Sequence, residues 1–199
     1  HVDGCNWRLR SSSSSAQSAP ELIEKNNSAT LPLGALAAHN VALALMAVMP
    51  LVKLEAITVR SILADLEMPG RMQRRQIRGR EVVHDVYHNP AGVAFLWQEL
   101  ARRSVQPKFL ICCMLRDKDH AQVYATTKSY SNAEWAFVDS HGERALPGLE
   151  LAQSMGSAGV CYSDMQEALN AAVAATASGA AILIFGSFSA VEQCPWLAS

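Results

Sequence analysis

Two continuous apolar runs of strand length, Phe109 to Met114 and Ala181 to Phe185, constrain the fold of this 199-residue chain more than any other feature. Neither alternates polar with apolar residues, so a strand built from either must be covered on both faces. The stretches between them read as helix and strand in turn: His120 to Thr127, Glu134 to Val138, Gly148 to Met155, Val160 to Tyr162, and the Ala-rich Met165 to Ala177. Buried strands separated by helices predict a mostly parallel sheet with helices on both faces. That is a Rossmann-like α/β domain, although G-x-G-x-x-G occurs nowhere in the chain.

Upstream of these runs, Ile77 to Val86 predicts a hairpin turning at Gly79, and β-branched Val82, Val83 and Val86 mark its second strand. Pro90 then stands where a first helical turn tolerates it. Val93, Phe95, Leu96, Trp97 and Leu100 follow at helix-like spacing. The connecting turn, Tyr87-His88-Asn89, would lie at the carboxyl edge of the sheet. Unpaired N–H groups and the helix dipole there favour an anionic group by roughly 0.3 to 1 kcal/mol. Asp85 and His88 flank that point and are candidates for chemistry.

The amino-terminal third has a different texture. Leu36 to Val48 and Ile57 to Leu66 predict helices, and Met68-Pro69-Gly70-Arg71 ends the helical region, so a domain boundary is expected near Pro69. The apolar stretch Leu31 to Leu51 is about as long as a membrane span. Pro32, Gly34 and the His39-Asn40 pair argue instead for a buried helix of a soluble protein with no membrane contact. Cys5 to Arg10 alternates like a strand, and the run Ser11 to Ser15 predicts a flexible loop.

A net charge of −1 argues against a nucleic-acid binder driven by bulk electrostatics. Arg71, Arg74, Arg75, Arg78 and Arg80 do cluster, as in a solvated linker or hairpin, and one or two of them could meet phosphate. The five cysteines form no C-x-x-C pair and no metal-ligand spacing. Cys112 and Cys113, inside an apolar run, read as reduced core residues of a cytoplasmic protein. His84 and His88 are four apart but straddle a strand end, so a metal site on that pair is discounted. The chain begins at His1 without a signal peptide and is expected to be a piece of a longer protein.

Five stretches in order carry a resemblance: Asn40-Val41-Ala42-Leu43-Ala44-Leu45, Pro69-Gly70-Arg71, Asp85-Val86-Tyr87-His88-Asn89-Pro90, Met114-Leu115-Arg116-Asp117-Lys118-Asp119, and Gly186-Ser187-Phe188. From about Leu31 to Val191 the chain resembles the carboxyl-terminal half of the bifunctional dihydrofolate synthase/folylpolyglutamate synthases, relatives of the Mur ligases. The resemblance implies an ATP-dependent amide ligase that joins L-glutamate to dihydropteroate or a folate through an acyl phosphate, and a cytoplasmic monomer. Residues 1–68 would be the helical tail of the central ATPase domain, and 69–199 the Rossmann-like carboxyl-terminal domain. By the same resemblance Asn40 would meet the adenine end of ATP, Arg71 its phosphates, and Asp85 the nucleotide from the second domain. His88 would lie near the phosphates or the incoming glutamate, with Asp117, Lys118 and Asp119 lining the glutamate pocket.

Each role has a structural rival. Asn40 could be an interhelical polar residue, Arg71 could simply be exposed, and Asp85 could cap the turn. His88 and Asn89 could hold the loop through backbone hydrogen bonds, and Asp117 to Asp119 could be a salt-bridged loop. The chain also departs from the pattern. Tyr87 stands where the family usually has Ala, and Cys113 where a Gly commonly precedes Met-Leu. No G-x-x-x-x-G-K-[ST] loop occurs, so the P-loop and the ligands of Mg²⁺ would belong to a missing amino-terminal half. The rival functions are a stand-alone Rossmann-like binding module and a Mur-type ligase of cell-wall precursors.

Overall fold

A computed structural model of the chain describes residues 36, 38–52, 56–66 and 68–194. The chain divides into two compact units, His1–Glu67 and Met68–Ser199.

In the first unit, α1 (Ala38–Val48) and α2 (Ala56–Asp65) are the described elements. The chain turns at Met49-Pro50, where proline cannot donate the next helical hydrogen bond. The expectation of a buried helix over Leu31 to Leu51 is corrected on two counts. The helix ends at Val48, before Leu51, and Leu43 and Met46 are 63% and 54% exposed. Val41 and Leu63 are the only buried hydrophobic side chains of this unit among the described residues. Two short helices offer each other too little surface to cover both of their faces. The predicted strand Cys5 to Arg10 and the serine run lie outside the described residues. No helix among the described residues is long and apolar enough to cross a membrane.

The second unit is built on one six-stranded sheet in the order β1-β2-β6-β3-β4-β5. The strands are β1 (Gln73–Ile77), β2 (Arg80–Asp85), β3 (Pro107–Cys112), β4 (Glu134–Val138), β5 (Val160–Tyr162) and β6 (Ala181–Phe185). Strands β2 to β6 run parallel, and β1 pairs antiparallel with β2 in a hairpin that turns at Gly79 as expected but begins at Gln73, four residues before the expected Ile77. Its two turn residues, Arg78 (φ 48) and Gly79 (φ 74), both lie in the left-handed region, as a two-residue hairpin turn with the twist of the sheet requires. The helices are α3 (Pro90–Arg102), α4 (His120–Tyr130), α5 (Gly148–Met155), α6 (Met165–Ala175) and the short α7 (Phe188–Glu192).

The apolar runs occupy the middle of the sheet, as their lack of alternation demands, and every residue of β6 is buried. One face, carrying Val82, Ile111, Val138, Ile182 and Ile184, packs on Ala168, Leu169 and Ala172 of α6. The opposite face carries Leu110, Trp135, Phe137, Leu183 and Phe185 by strand alternation. Trp135 stacks on Phe137 at 5.5 Å and meets Phe185 edge-on at 5.9 Å. α3, α4 and α5 pack side by side. Each fully buried Leu, Ile or Phe contributes about 1.5–3 kcal/mol by leaving water. The edges are less inviting to another strand: β1 carries Arg74 and Arg75, and β5 is only three residues long.

Candidate functional site

The loops at the carboxyl ends of the parallel strands carry most of the candidate residues. Asp85 closes β2 with its side chain buried. Its Oδ2 accepts from the Met72 backbone N–H and its Oδ1 from that of Tyr87, both at 2.9 Å. Val86 N–H donates to the Gly70 carbonyl at 2.9 Å, so residues 70–72 fold back onto the turn that follows β2. Only a glycine suits position 70. Its φ is +71°, and an added Cβ would lie 2.5 Å from Cγ1 of Val86.

This fold-back brings Arg71 to Asp85, with Nη1 3.7 Å from Oδ1, and lays its guanidinium over the Tyr87 ring at 5.0 Å from the centroid. Desolvation by burial pushes the Asp85 carboxyl up to about 6, against the opposing pull of its backbone donors and of Arg71. His84, one residue earlier, is buried with neither ring nitrogen in a hydrogen bond, and desolvation lowers it to about 4.

Beyond Tyr87 the turn is self-supporting. Nδ1 of His88 lies 3.0 Å from the Val86 carbonyl oxygen. A carbonyl only accepts, so Nδ1 carries the proton, and Nε2 of the neutral ring is left as the acceptor. Asn89 caps α3 by accepting from Gly92 N–H at 2.8 Å, and Pro90 takes the first helical position.

Arg71 and Asp85 are thus brought together, and His88 stands three residues beyond Asp85 in the turn that follows β2. Asp117, Lys118 and Asp119 belong to the loop after β3, a strand that lies across β6 from β2 at two strand spacings, about 10 Å. Asp117 pairs with Lys118 (3.1 Å) and Arg144 (2.8 Å), and hydrogen bonding from Lys118 holds its carboxyl below the usual range. Asp119 caps α4 through Gln122 N–H. Asn40 lies exposed in the first turn of α1, in the other unit.

Sequence reasoning did not anticipate the network that locks the neighbouring loops. Ser187 Oγ donates to the Cys113 carbonyl (2.8 Å), His141 N–H to Ser189 Oγ (2.8 Å), and Gln193 Nε2 to the Asp139 carbonyl (2.9 Å). These partners lie 48 to 74 residues apart, and no local pattern announces them. Cys113, the departure from the expected Gly, is buried beside this network with its thiol pushed up to about 11 by desolvation. Among the described residues no group of three or more His, Cys, Asp or Glu is arranged to hold a metal ion.

A family model described as "Mur ligase, glutamate ligase domain" matches residues 70–188, well over half of the chain. The chain belongs to the Mur ligase family. The matched span of this Mur ligase domain includes Arg71, Asp85, His88 and Asp117 to Asp119, and begins after Asn40. Its fold matches E. coli FolC in complex with DHPP and ADP at a TM-score of 0.72 and 26% identity, over 85% of this chain and 41% of that one. The bifunctional folylpolyglutamate synthase/dihydrofolate synthase of Yersinia pestis, complexed with AMPPNP and Mn ion, gives the same values. Mycobacterium tuberculosis folylpolyglutamate synthase complexed with ADP matches at 0.65 and 25% identity, over 79% of this chain and 38% of that one. This Mur ligase chain therefore spans about two fifths of the length of these proteins. A comparison with curated proteins returned no match.

Proposed function

We propose that this chain supplies the carboxyl-terminal wall of an ATP-dependent amide ligase of folate metabolism, acting in the cytoplasm as a monomer. The reaction joins L-glutamate to dihydropteroate, to a folylpolyglutamate, or to both. A substrate carboxylate oxygen attacks the γ-phosphorus of ATP and ADP leaves. The glutamate amine then adds to the acyl phosphate carbon, phosphate departs with the oxygen, and the new amide sheds a proton. Residues 1–68 would close the central ATP-binding domain, and 69–199 form the ligase domain.

One observation carries this reading: in a Mur ligase glutamate ligase domain, the D-x-x-H-N-P turn holds a one-third exposed Arg71 guanidinium at the carboxyl edge of the sheet. Arg71 offers planar donors to phosphate oxygens as charge develops on the transferring phosphoryl group. Asp85 holds a negative charge 3.7 Å from Arg71 on the nucleotide side. Nε2 of His88 is the acceptor that would take the proton of the glutamate amine. Asp117, Lys118 and Asp119, in the loop after β3, are assigned to the glutamate, and Asn40 to the adenine end of ATP. The described residues offer no cluster fit for Mg²⁺. The P-loop that binds the triphosphate would come from chain upstream of His1.

The test is ADP and amide formation from ATP, Mg²⁺, dihydropteroate and glutamate. The purified 199-residue chain should form neither, and its fusion to an in-frame upstream P-loop segment should form both. Turnover by the chain alone would refute the division of labour. A fusion that turns over only with a cell-wall precursor would refute the folate reading. In the active protein Arg71→Ala should cut kcat/KM for ATP at least tenfold, about 1.4 kcal/mol, and move the thermal midpoint by about 2 °C or less. His88→Ala should lower kcat by about 100-fold with a similarly small midpoint change. Equal losses of activity and stability in either variant would make that residue structural.

A further inference from the structure

We infer that Tyr87 is a positioning residue for Arg71, its ring serving as a fixed platform that sets the plane of the guanidinium and strengthens binding of a polyphosphate. The inference rests on the phosphate-binding role proposed above for Arg71. It assigns a task to one of the two residues, Tyr87 and Cys113, at which the chain departs from the family pattern.

The backbone of Arg71 is already pinned. Its N–H donates to the Met68 carbonyl at 3.0 Å, and it stands between Gly70 and Met72, whose φ values are +71° and +44°. The side chain beyond Cβ is a different matter, because it is long, charged and a third exposed. Among the described residues, two groups are available to order it. Asp85 attracts it from 3.7 Å, beyond hydrogen-bond range, and both of its carboxylate oxygens are engaged by backbone N–H groups. Asp85 therefore supplies charge but no direction. Tyr87 supplies direction, with the guanidinium carbon 5.0 Å from the ring centroid.

The ring itself has little freedom. It lies against Gly92, where an added Cβ would collide with it, and meets Phe95 edge-on at 5.8 Å. Glycine at the first turn of α3 leaves the space that the ring fills. A guanidinium held over a fixed ring is ordered before a ligand arrives, so less rotamer freedom is lost when phosphate binds. The phenolic hydroxyl has no part in this, so Phe should serve as well as Tyr.

The experiment uses the full 199-residue chain, with ¹⁵N-labelled arginine and tripolyphosphate as the probe. In the unaltered chain the Arg71 Nε–H should be ordered and shifted by the ring current. Tyr87→Phe should preserve both signals. Tyr87→Leu, and Tyr87→Met as a better-packed second variant, should lose both. Tripolyphosphate affinity should be unchanged in Tyr87→Phe and about fivefold weaker in Tyr87→Met. That loss should disappear when Arg71→Ala is already present. An ordered Arg71 Nε–H in Tyr87→Met, or losses that add fully in the double variant, would overturn the inference. Unchanged affinity in Arg71→Ala alone would overturn the phosphate role instead, and the Nε–H signals would then still decide whether Tyr87 orders Arg71.

Discussion

Asp85→Asn and His84→Leu will give stability profiles of opposite slope between about pH 4 and 6.5. The carboxyl of Asp85 is raised to about 6, so the native state holds its proton more tightly than the unfolded chain does. Its contribution to stability is present below the unfolded value near 4 and is lost as pH rises through 6. The ring of His84 is lowered to about 4, so its contribution is present above 6.5 and is lost as pH falls through 4. At about 1.4 kcal/mol for each pH unit of difference, each effect is worth about 3 kcal/mol. In the unaltered chain the two adjacent residues nearly cancel across this window. Asp85→Asn leaves His84 alone, so stability should rise by about 3 kcal/mol from pH 4 to 6.5. His84→Leu leaves Asp85 alone, and stability should fall by a similar amount.

Urea unfolding at several pH values reads the two slopes directly. A constant cost of about 1–3 kcal/mol is expected in Asp85→Asn, whose amide must face one of the two backbone N–H donors. That cost shifts the level of the profile and leaves the slope unaffected. Parallel slopes in the two variants would show that the buried pair does not govern this window.

Gly186→Ala should cost about 3 kcal/mol or more and lower the thermal midpoint by about 10 °C. Gly186 follows β6 with φ +126°, a region open to glycine and strained for alanine. The added Cβ would also sit 2.6 Å from the Cys113 carbonyl oxygen. That oxygen cannot retreat cheaply, because it accepts from Ser187 Oγ and the Cys113 N–H donates to the Phe185 carbonyl. Gly142→Ala is the control. Its φ is +95°, and nothing lies within 4 Å of the added atom, so it bears backbone strain alone. The Gly186 variant should therefore lose clearly more than the Gly142 variant. Equal midpoints would mean that the end of β3 yields without penalty.

Much of the fold was legible because burial writes itself into composition. Strands covered on both faces, such as Ala181–Phe185, have no room for polar residues, and Gly148–Met155 and Val160–Tyr162 emerged with their boundaries intact. Strand β1 was less visible, because an edge strand reading QRRQI carries solvent-facing arginines and looks like a charged linker. Helix α7, at five residues, is too short to display a period. At the site, the turn containing Asp85, His88 and Asn89 could be located from residue types alone. What those residues touch could not. The Met72–Asp85 hydrogen bond and the Arg71–Tyr87 contact depend on how residues 70–72 return to the sheet, and no local spacing encodes that return. The buried helix expected from Leu31 to Leu51 failed for a related reason, since apolar composition reports a capacity for burial and not the presence of a partner.

The position of β6 bears on how the chain must be made. Of the six strands it is the last to leave a ribosome, yet it sits between β2 and β3, which are made some 70 to 100 residues earlier. Until residues 181–185 emerge, the first parallel strand has no parallel neighbour, and two apolar strand edges wait unpaired. The nascent sheet is thus two separate halves, prone to mispairing with other chains, and it becomes one object only once β6 has been made. The loops after β2 and after β3 acquire their spacing at the same moment, because β6 is the spacer. Any shortening of the chain that removes this strand should abolish the domain as a whole rather than trim it.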